Sequence, residues 1–376
     1  MRLLYLSRSC SGHDRRFLDA FQRHGLEASL VTLQAPARSC GAEPAGTRHI
    51  GSLGVQANAS TGELRRAIPL LGSMARQFQP DIVIAGPIHD CAYLAYEADL
   101  GLPIVTQSWA FDVFWENMRD PEAAVRTEQI LRRTESLFAD CRAVLARCEA
   151  LAGRPFRRHF VMPWGLEDAR TPPAQANDVP RFGVPPAKGP VFLHTRALEP
   201  VYAVDVLAKA FAGLLKRAPD ALLDLASDGS LRPWLEEFIA ANNLGRSIRL
   251  LGALPHQSVL ELYGEAAIYV SCSASDGTSI SLLEAMRAGV PPIVNDRGGN
   301  PEWVTDRENG WVVPFGDADS LSAAMLEATL APPARLARMA GLGKSIVRSR
   351  ADWGANFPQY VRFLGGCVEG RPPSPA

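Results

Sequence analysis

Lysine is nearly absent from this chain: of its 39 basic residues only Lys188, Lys209, Lys216 and Lys344 are not arginine. That bias reads as a GC-rich coding sequence before it reads as any function. Net charge is also small, −1 overall, so no excess of either sign points to nucleic acid or to an acidic partner. No apolar run approaches the ~20 residues that a bilayer span needs. Residues 1–6 read as a strand, without the layout of a signal peptide. The seven cysteines (Cys10, Cys40, Cys91, Cys141, Cys148, Cys272 and Cys367) are odd in number and scattered, with no Cys-x-x-Cys pair. This argues against a disulfide framework or a zinc site and for reduced thiols in a cytoplasmic protein. The loop 9–14 keeps one glycine, Gly12, and no Gly-x-Gly-x-x-Gly, so no nicotinamide or flavin site is expected there.

What is present is a long α/β pattern. A chain of 376 residues, 47% of them hydrophobic, can bury a large core and suggests two or three domains. A strand over 3–6, a helix over 15–24 and a strand over 28–33 open it, a βαβ unit that makes a parallel sheet. Residues 36–61, rich in Pro, Gly, Ala and Ser, read as irregular. Further elements are a helix over 62–77, a strand over 81–85, a helix over 94–100 and a strand over 103–106. An arginine-rich helix over 123–136, a strand over 141–145, a helix from 148 and a strand over 160–162 complete this half. Residues 168–188 read as a linker. Strands over 190–194, 222–226, 248–251, 267–270 and 292–294 follow, with helices over 204–217, 231–242, 320–330, 336–350 and 353–363.

Residues 268–302 organise the second half. A short apolar strand breaks into small polar residues, and a helix begins near Thr278 with Thr278 or Ser279 as N-cap. Ile280, Leu283 and Met286 lie at helical spacing, and Gly289 with Pro291 ends the helix. Such a turn aims the N–H groups of Gly277, Thr278 and Ser279, and the positive end of the helix dipole, at whatever lies above the sheet, which suits phosphate. Asp276 and Glu284 bracket the site; at about 100° per residue the two acids lie on nearly the same side. They suit hydroxyl groups flanking a diphosphate, such as those of a ribose and a sugar. A second turn, 297–302, places Gly298 and Gly299 where backbone can approach a ligand closely.

Asp276 and Glu284 with the following Glu-Ala-Met-x-Ala-Gly-x-Pro, then Gly298-Gly299-Asn300-Pro301-Glu302, then Asn309-Gly310 through Pro314 to Gly316-Asp317, resemble the donor-binding half of family 4 retaining glycosyltransferases. The resemblance implies the GT-B fold: two Rossmann-like domains facing each other across a cleft. The first domain would be residues 1–167 and the second 189–350, with a C-terminal helix of about 351–376 packing back on the first. It implies transfer of a sugar from a nucleoside-diphosphate sugar to a carbohydrate, lipid-linked or small-molecule hydroxyl, with retention, no metal and no resident cofactor, in polysaccharide biosynthesis. Asp276, Glu284, Arg196 and His89 would carry the reaction. Asp276 binds the donor sugar, Glu284 the ribose, and Arg196 clamps the diphosphate as a guanidinium does well. Gly277, Thr278, Ser279, Gly229, Leu254, His256 and Gly12 would line the donor, with the backbone of 252–256 along the base. The family carries Glu where Asp276 stands and Lys where Val201 stands.

In the first half, His89 and the segment holding Trp109 and Asp112 follow strands, where ligands of open α/β sheets bind; they are candidates for the acceptor side. His89 would hold hydroxyl groups or relay a proton, or serve only as a hydrogen-bonding residue. The basic run Arg154, Arg157, Arg158 and His159 reads as a solvated face or as a patch for anionic lipid at the inner membrane face. Rival readings are a non-catalytic nucleotide-sugar-binding protein, a GT-B-type epimerase or phosphorylase, and a purely structural partner. An epimerase turns over without acceptor, and a binder saturates with donor but never hydrolyses it.

Overall fold

The computed structural model describes residues 1–35, 48–57, 59–115, 119–167 and 189–370. The chain divides into two compact units. One is built from Met1–Pro163 and the stretch from Gly354 onward, the other from Trp164–Trp353. The expected linker, 168–188, lies outside the described residues, as do 36–47 of the expected irregular segment, Cys40 and the last six residues of the expected C-terminal helix. No helix among the described residues is long and apolar enough to cross a membrane.

The first unit holds a parallel sheet of β1 (Arg2–Ser7), β2 (Glu27–Thr32), β3 (Arg48–Ser52), β4 (Ile82–Ala85), β5 (Ile104–Gln107), β6 (Ser136–Ala139) and β7 (Arg158–Val161). Its order is β3-β2-β1-β4-β5-β6-β7. The strands are near-continuous apolar runs because helices cover both faces. On one face the helices Thr61–Phe78, Pro121–Arg133 and Arg142–Ala152 bury Leu64, Leu71, Ile130, Leu131 and Val144 against Leu4, Val83 and Leu137. On the other, helices Gly12–Arg23 and Trp353–Glu369 form an aromatic layer: Phe21 meets Phe357 at 5.3 Å and Phe138 meets Tyr360 at 4.6 Å between ring centroids.

Parts of this unit differ from the sequence expectation. The segment expected to be irregular contains β3, which pairs with β2 through a register shift between Leu30 and Val31. Its sequence, Arg-His-Ile-Gly-Ser, has no alternation, and only the tertiary pairing makes it a strand. The strand expected over 141–145 is instead the start of the helix Arg142–Ala152, and the strand is the earlier Ser136–Ala139. Val144, Cys148 and Ala152 are its buried residues, one per turn, and Gly153 closes it with φ 70°, so the period of four decides against β.

The second unit holds β8 (Val191–His194), β9 (Leu222–Leu225), β10 (Ile248–Leu250), β11 (Ile268–Ser271), β12 (Pro292–Asn295) and β13 (Trp311–Val313). The order is β10-β9-β8-β11-β12-β13, again parallel. The helix of the central stretch is Ile280–Ala288. Ser279 is its N-cap, accepting from the Leu282 N–H at 3.4 Å, and Gly289 ends it in the left-handed region at φ 86°. A helix His256–Glu265, not anticipated from the sequence, starts directly after Pro255 and buries Leu262 and Tyr263. Strands β8, β9, β11 and β12 deliver four loops at one edge of the sheet, the edge where such folds bind ligands.

Candidate functional site

Arg196 leaves the end of β8, and its guanidinium lies across the mouth of the helix Ile280–Ala288. Nη2 donates to Asp276 Oδ1 at 2.6 Å. Nη1 reaches the hydroxyl oxygens of Ser279 at 3.4 Å and Ser281 at 3.5 Å. The cation lies 4.4 Å from the ring centroid of Tyr202, a contact that steadies it. Burial alone would lower the Arg196 pKa, but the Asp276 carboxylate outweighs it and holds the group above its ordinary value.

Asp276 is buried at the end of the loop after β11. Burial raises its pKa, while Arg196 and the Ser273 hydroxyl pull the other way without cancelling it. Its second oxygen, Oδ2, is buried with no hydrogen-bond partner among the described residues. A buried carboxylate oxygen left unpaired is costly. Here it lies just before the N-terminus of the helix Ile280–Ala288, a position that suits a ligand with hydroxyl and phosphate groups together. Gly298 makes this geometry possible: its φ is 57°, and a Cβ there would lie 1.7 Å from the Asp276 carbonyl oxygen. The Gly299 N–H donates to that same oxygen at 3.1 Å. The glycine turn thus clamps the Asp276 backbone.

Glu284 is buried one turn into the helix. Its Oε1 accepts from His256 Nε2 at 2.6 Å, and the Tyr263 hydroxyl is 3.5 Å from Oε2. Tyr263 also contacts the Ser281 carbonyl and Thr195 Oγ1, each at 3.2 Å. Behind the site, His194 Nδ1 donates to the Val270 carbonyl at 3.0 Å, joining the ends of β8 and β11. Burial drives its pKa down to about 4. Val201 gives its carbonyl to the Ala274 N–H at 2.7 Å, so the two loops carrying Arg196 and Asp276 are tied by backbone as well.

The structure therefore brings Arg196, Asp276, Gly277, Thr278, Ser279, Glu284 and His256 together around one helix. Leu254 is half-buried against the neighbouring core. Gly229 belongs to the loop after β9 and packs on Leu198, whose carbonyl oxygen would be 2.5 Å from a Cβ there.

In the first unit the ends of β1, β4 and β5 form a second group. His89 is fully buried; Arg8 Nη2 lies 2.5 Å from its Nε2, and Arg126 Nε donates to its carbonyl at 2.8 Å. A guanidinium only donates, so Nε2 accepts and the ring proton sits on Nδ1. Arg8 also pairs with Asp90 and lies 5.1 Å from the Phe111 ring centroid. Asp112 is fully buried: Oδ2 accepts from the Ile88 N–H at 2.9 Å, Oδ1 from the Ser108 hydroxyl at 2.8 Å and the Trp109 N–H at 3.1 Å. Burial raises its pKa, opposed by the Ile88 N–H and the Ser108 hydroxyl. Asp112 thus fastens the loop after β4 to the loop after β5. Trp109 is half-buried with its ring 6.1 Å from His13. Gly12 is the exposed first residue of its helix, behind the N-cap Ser11.

Sequence reasoning missed Arg8, Asp90, His194, Tyr202 and Tyr263. Arg8 had a signal, since it directly follows β1 at the ligand-binding edge of the sheet. In the basic run, Arg154 donates to the carbonyls of Arg132 at 3.0 Å and Thr134 at 2.7 Å, while Arg157 and His159 are exposed. A cavity of about 300 Å³, lined by Tyr96, Leu102, Ile104, Arg133, Ser136 and Arg158, opens at the opposite edge of the first sheet, away from these groups. Among the described residues no three His, Cys, Asp or Glu side chains gather as a metal-binding group.

Residues 178–340 match the family model described as glycosyl transferases group 1. The chain is 30% identical over 171 residues to the GDP-mannose-dependent monoacylated alpha-(1-6)-phosphatidylinositol monomannoside mannosyltransferase of Corynebacterium glutamicum, covering 44% of each. It spans about half the length of the first curated relatives it matches. Among solved structures, sucrose-phosphate synthase from Thermosynechococcus elongatus superimposes with TM-score 0.82 at 17% identity, covering 99% of this chain and 100% of that one. HepE from Anabaena, in complex with UDP-glucose, superimposes with TM-score 0.78 at 17% identity, covering 97% and 100%. The likeness establishes a fold of two α/β units with parallel sheets, the GT-B fold.

Proposed function

We propose that this chain, whose residues 178–340 match the group 1 glycosyltransferases, moves a sugar from a nucleoside-diphosphate sugar to a hydroxyl acceptor, with retention and without a metal. The observation that carries the proposal is the pairing of Arg196 with Asp276 Oδ1, beside the buried and unpartnered Oδ2 of the same carboxylate, at the mouth of the helix Ile280–Ala288. In this reading the diphosphate sits over the N–H groups of Gly277, Thr278 and Ser279. Arg196 and the helix dipole stabilise the charge that builds on it as the glycosidic bond breaks. Asp276 Oδ2 accepts a hydroxyl of the donor sugar and Glu284 one of the ribose, fixing the anomeric carbon for attack.

The relatives' names divide between donors: the Corynebacterium enzyme is GDP-mannose-dependent and the Anabaena protein binds UDP-glucose. The base is therefore left to experiment. The test is thermal shift and calorimetry against UDP, GDP and their sugars, followed by turnover with EDTA and NMR of the product's anomeric proton. No binding to any of them would refute the proposal; inversion or loss of activity in EDTA would remove retention or metal independence.

Val201, standing where the resemblance expects lysine, favours a second reading, a donor-binding protein that does not turn over. Saturable binding with no donor hydrolysis would select it. An epimerase would turn over with donor alone. Peripheral contact with anionic lipid rests on the exposed Arg157 and His159. Sedimentation with anionic vesicles beyond that with neutral ones supports it, and equal sedimentation removes it.

A further inference from the structure

The Glu284 carboxylate is 8% exposed, whereas the His256 side chain bonded to it is 70% exposed. The imidazole therefore lies on the open side of a buried acid. A carboxylate only accepts, so His256 Nε2 is the donor in this 2.6 Å contact. That leaves Oε2. Its neighbour, the Tyr263 hydroxyl, has a single proton and lies nearer to the Ser281 carbonyl, at 3.2 Å, than to Oε2, at 3.5 Å. The imidazole thus covers Oε1 on its open side, and Oε2 is the oxygen without a short bond, the one left for a ligand. His256 can hold this position because Pro255 fixes the start of its helix and Leu262 and Tyr263 anchor that helix in the core.

We infer that His256 is a positioning residue that sets how the nucleotide's ribose is read: by holding Oε1, it makes Glu284 accept one ribose hydroxyl on Oε2 instead of gripping both hydroxyls of the diol. The inference rests on the assignment of Glu284 to the ribose. Its consequence is selectivity between the two hydroxyls. The nucleoside diphosphate lacking the bonded hydroxyl loses a charge-assisted hydrogen bond, and the one lacking the other hydroxyl loses little.

The experiment is calorimetric titration of the full chain with UDP or GDP, whichever binds, and with its 2′-deoxy and 3′-deoxy forms. For the wild type one deoxy form is expected to bind about tenfold more weakly than the other. His256→Ala frees Oε1, so both deoxy forms should be penalised alike and the ratio should fall to about one. His256→Gln, whose amide donates at similar reach, should restore the ratio. A ratio unchanged in His256→Ala, or near one in the wild type, overturns the inference. Glu284→Gln separates the two levels. If it leaves affinity for the ribonucleotide and both deoxy forms untouched, the placement of the nucleotide fails and the inference with it. If it abolishes selectivity while His256→Ala preserves it, only the role of His256 fails. His256 is exposed, so its variants are expected to melt as the wild type does.

Discussion

Asp276→Asn should strengthen binding of the bare nucleoside diphosphate while weakening what the sugar adds. The guanidinium proposed to hold the diphosphate is paired with Asp276 at 2.6 Å. On that proposal the diphosphate competes with a carboxylate for the same N–H groups. Both partners are largely buried, at 17% and 8% exposure, so the pair is screened less than a surface pair, though most of its Coulomb energy is offset by desolvation. A net release of roughly 1–2 kcal/mol corresponds to a five- to thirtyfold gain in affinity for UDP or GDP. The same substitution removes the charge from Oδ2, the oxygen assigned to the donor sugar. A hydrogen bond to a charged group is worth about 1.5–3 kcal/mol. The ratio of sugar-nucleotide to nucleotide affinity should therefore fall by about an order of magnitude or more, and transfer with it. Calorimetry with nucleotide and sugar nucleotide, on wild type and variant at one pH, reads both terms. Equal weakening of the two ligands would mean that Asp276 supports the site without competing in it, and the competition argument would be wrong.

The fold was legible because it repeats one pattern. Strands such as Ile82–Ala85 are apolar runs without alternation, each followed by an amphipathic helix, and only parallel sheets with both faces covered need that sequence. The exceptions have physical reasons. Arg48–Ser52 is a strand only because β2 is beside it, and Ser136–Ala139 was masked by the arginine-rich helix that ends three residues earlier. The helix His256–Glu265 has few apolar residues and no side-chain N-cap, so no start signal was visible except Pro255. At the site the mouth of the helix Ile280–Ala288 could be read locally from Ser279 and Gly289. The pairings could not. Arg196 and Asp276 are 80 residues apart, His194 and Val270 are 76, and Arg8 and His89 are 81. A sequence motif names the acids; only the sheet order β8-β11 says which cation meets which acid.

The remaining predictions test the site's supports. Arg196→Ala should lower affinity for the diphosphate by tenfold or more, given about 1.5–3 kcal/mol for charged hydrogen bonds; unchanged calorimetric affinity would show that the clamp is misplaced. Gly298→Ala should cost about 1–2 kcal/mol for a left-handed φ, with more from the Cβ driven against the Asp276 carbonyl. A variant that melts and binds donor like the wild type would contradict the turn's role. His194 gives the pH dependence. Its pKa is pushed by burial from 6.5 to about 4, so the folded protein keeps it neutral while the unfolded chain takes up a proton below pH 6.5. The stabilising term is complete above that pH and is lost as pH falls towards 4, amounting to about 3 kcal/mol at 1.36 kcal/mol per unit. His194→Asn, which keeps a donor for the Val270 carbonyl but does not titrate, should flatten the urea-midpoint slope between pH 6.5 and 4 relative to wild type. Parallel slopes would mean that the folded protein takes up a proton on the buried Nε2 as readily as the unfolded chain does, and the burial argument would fail.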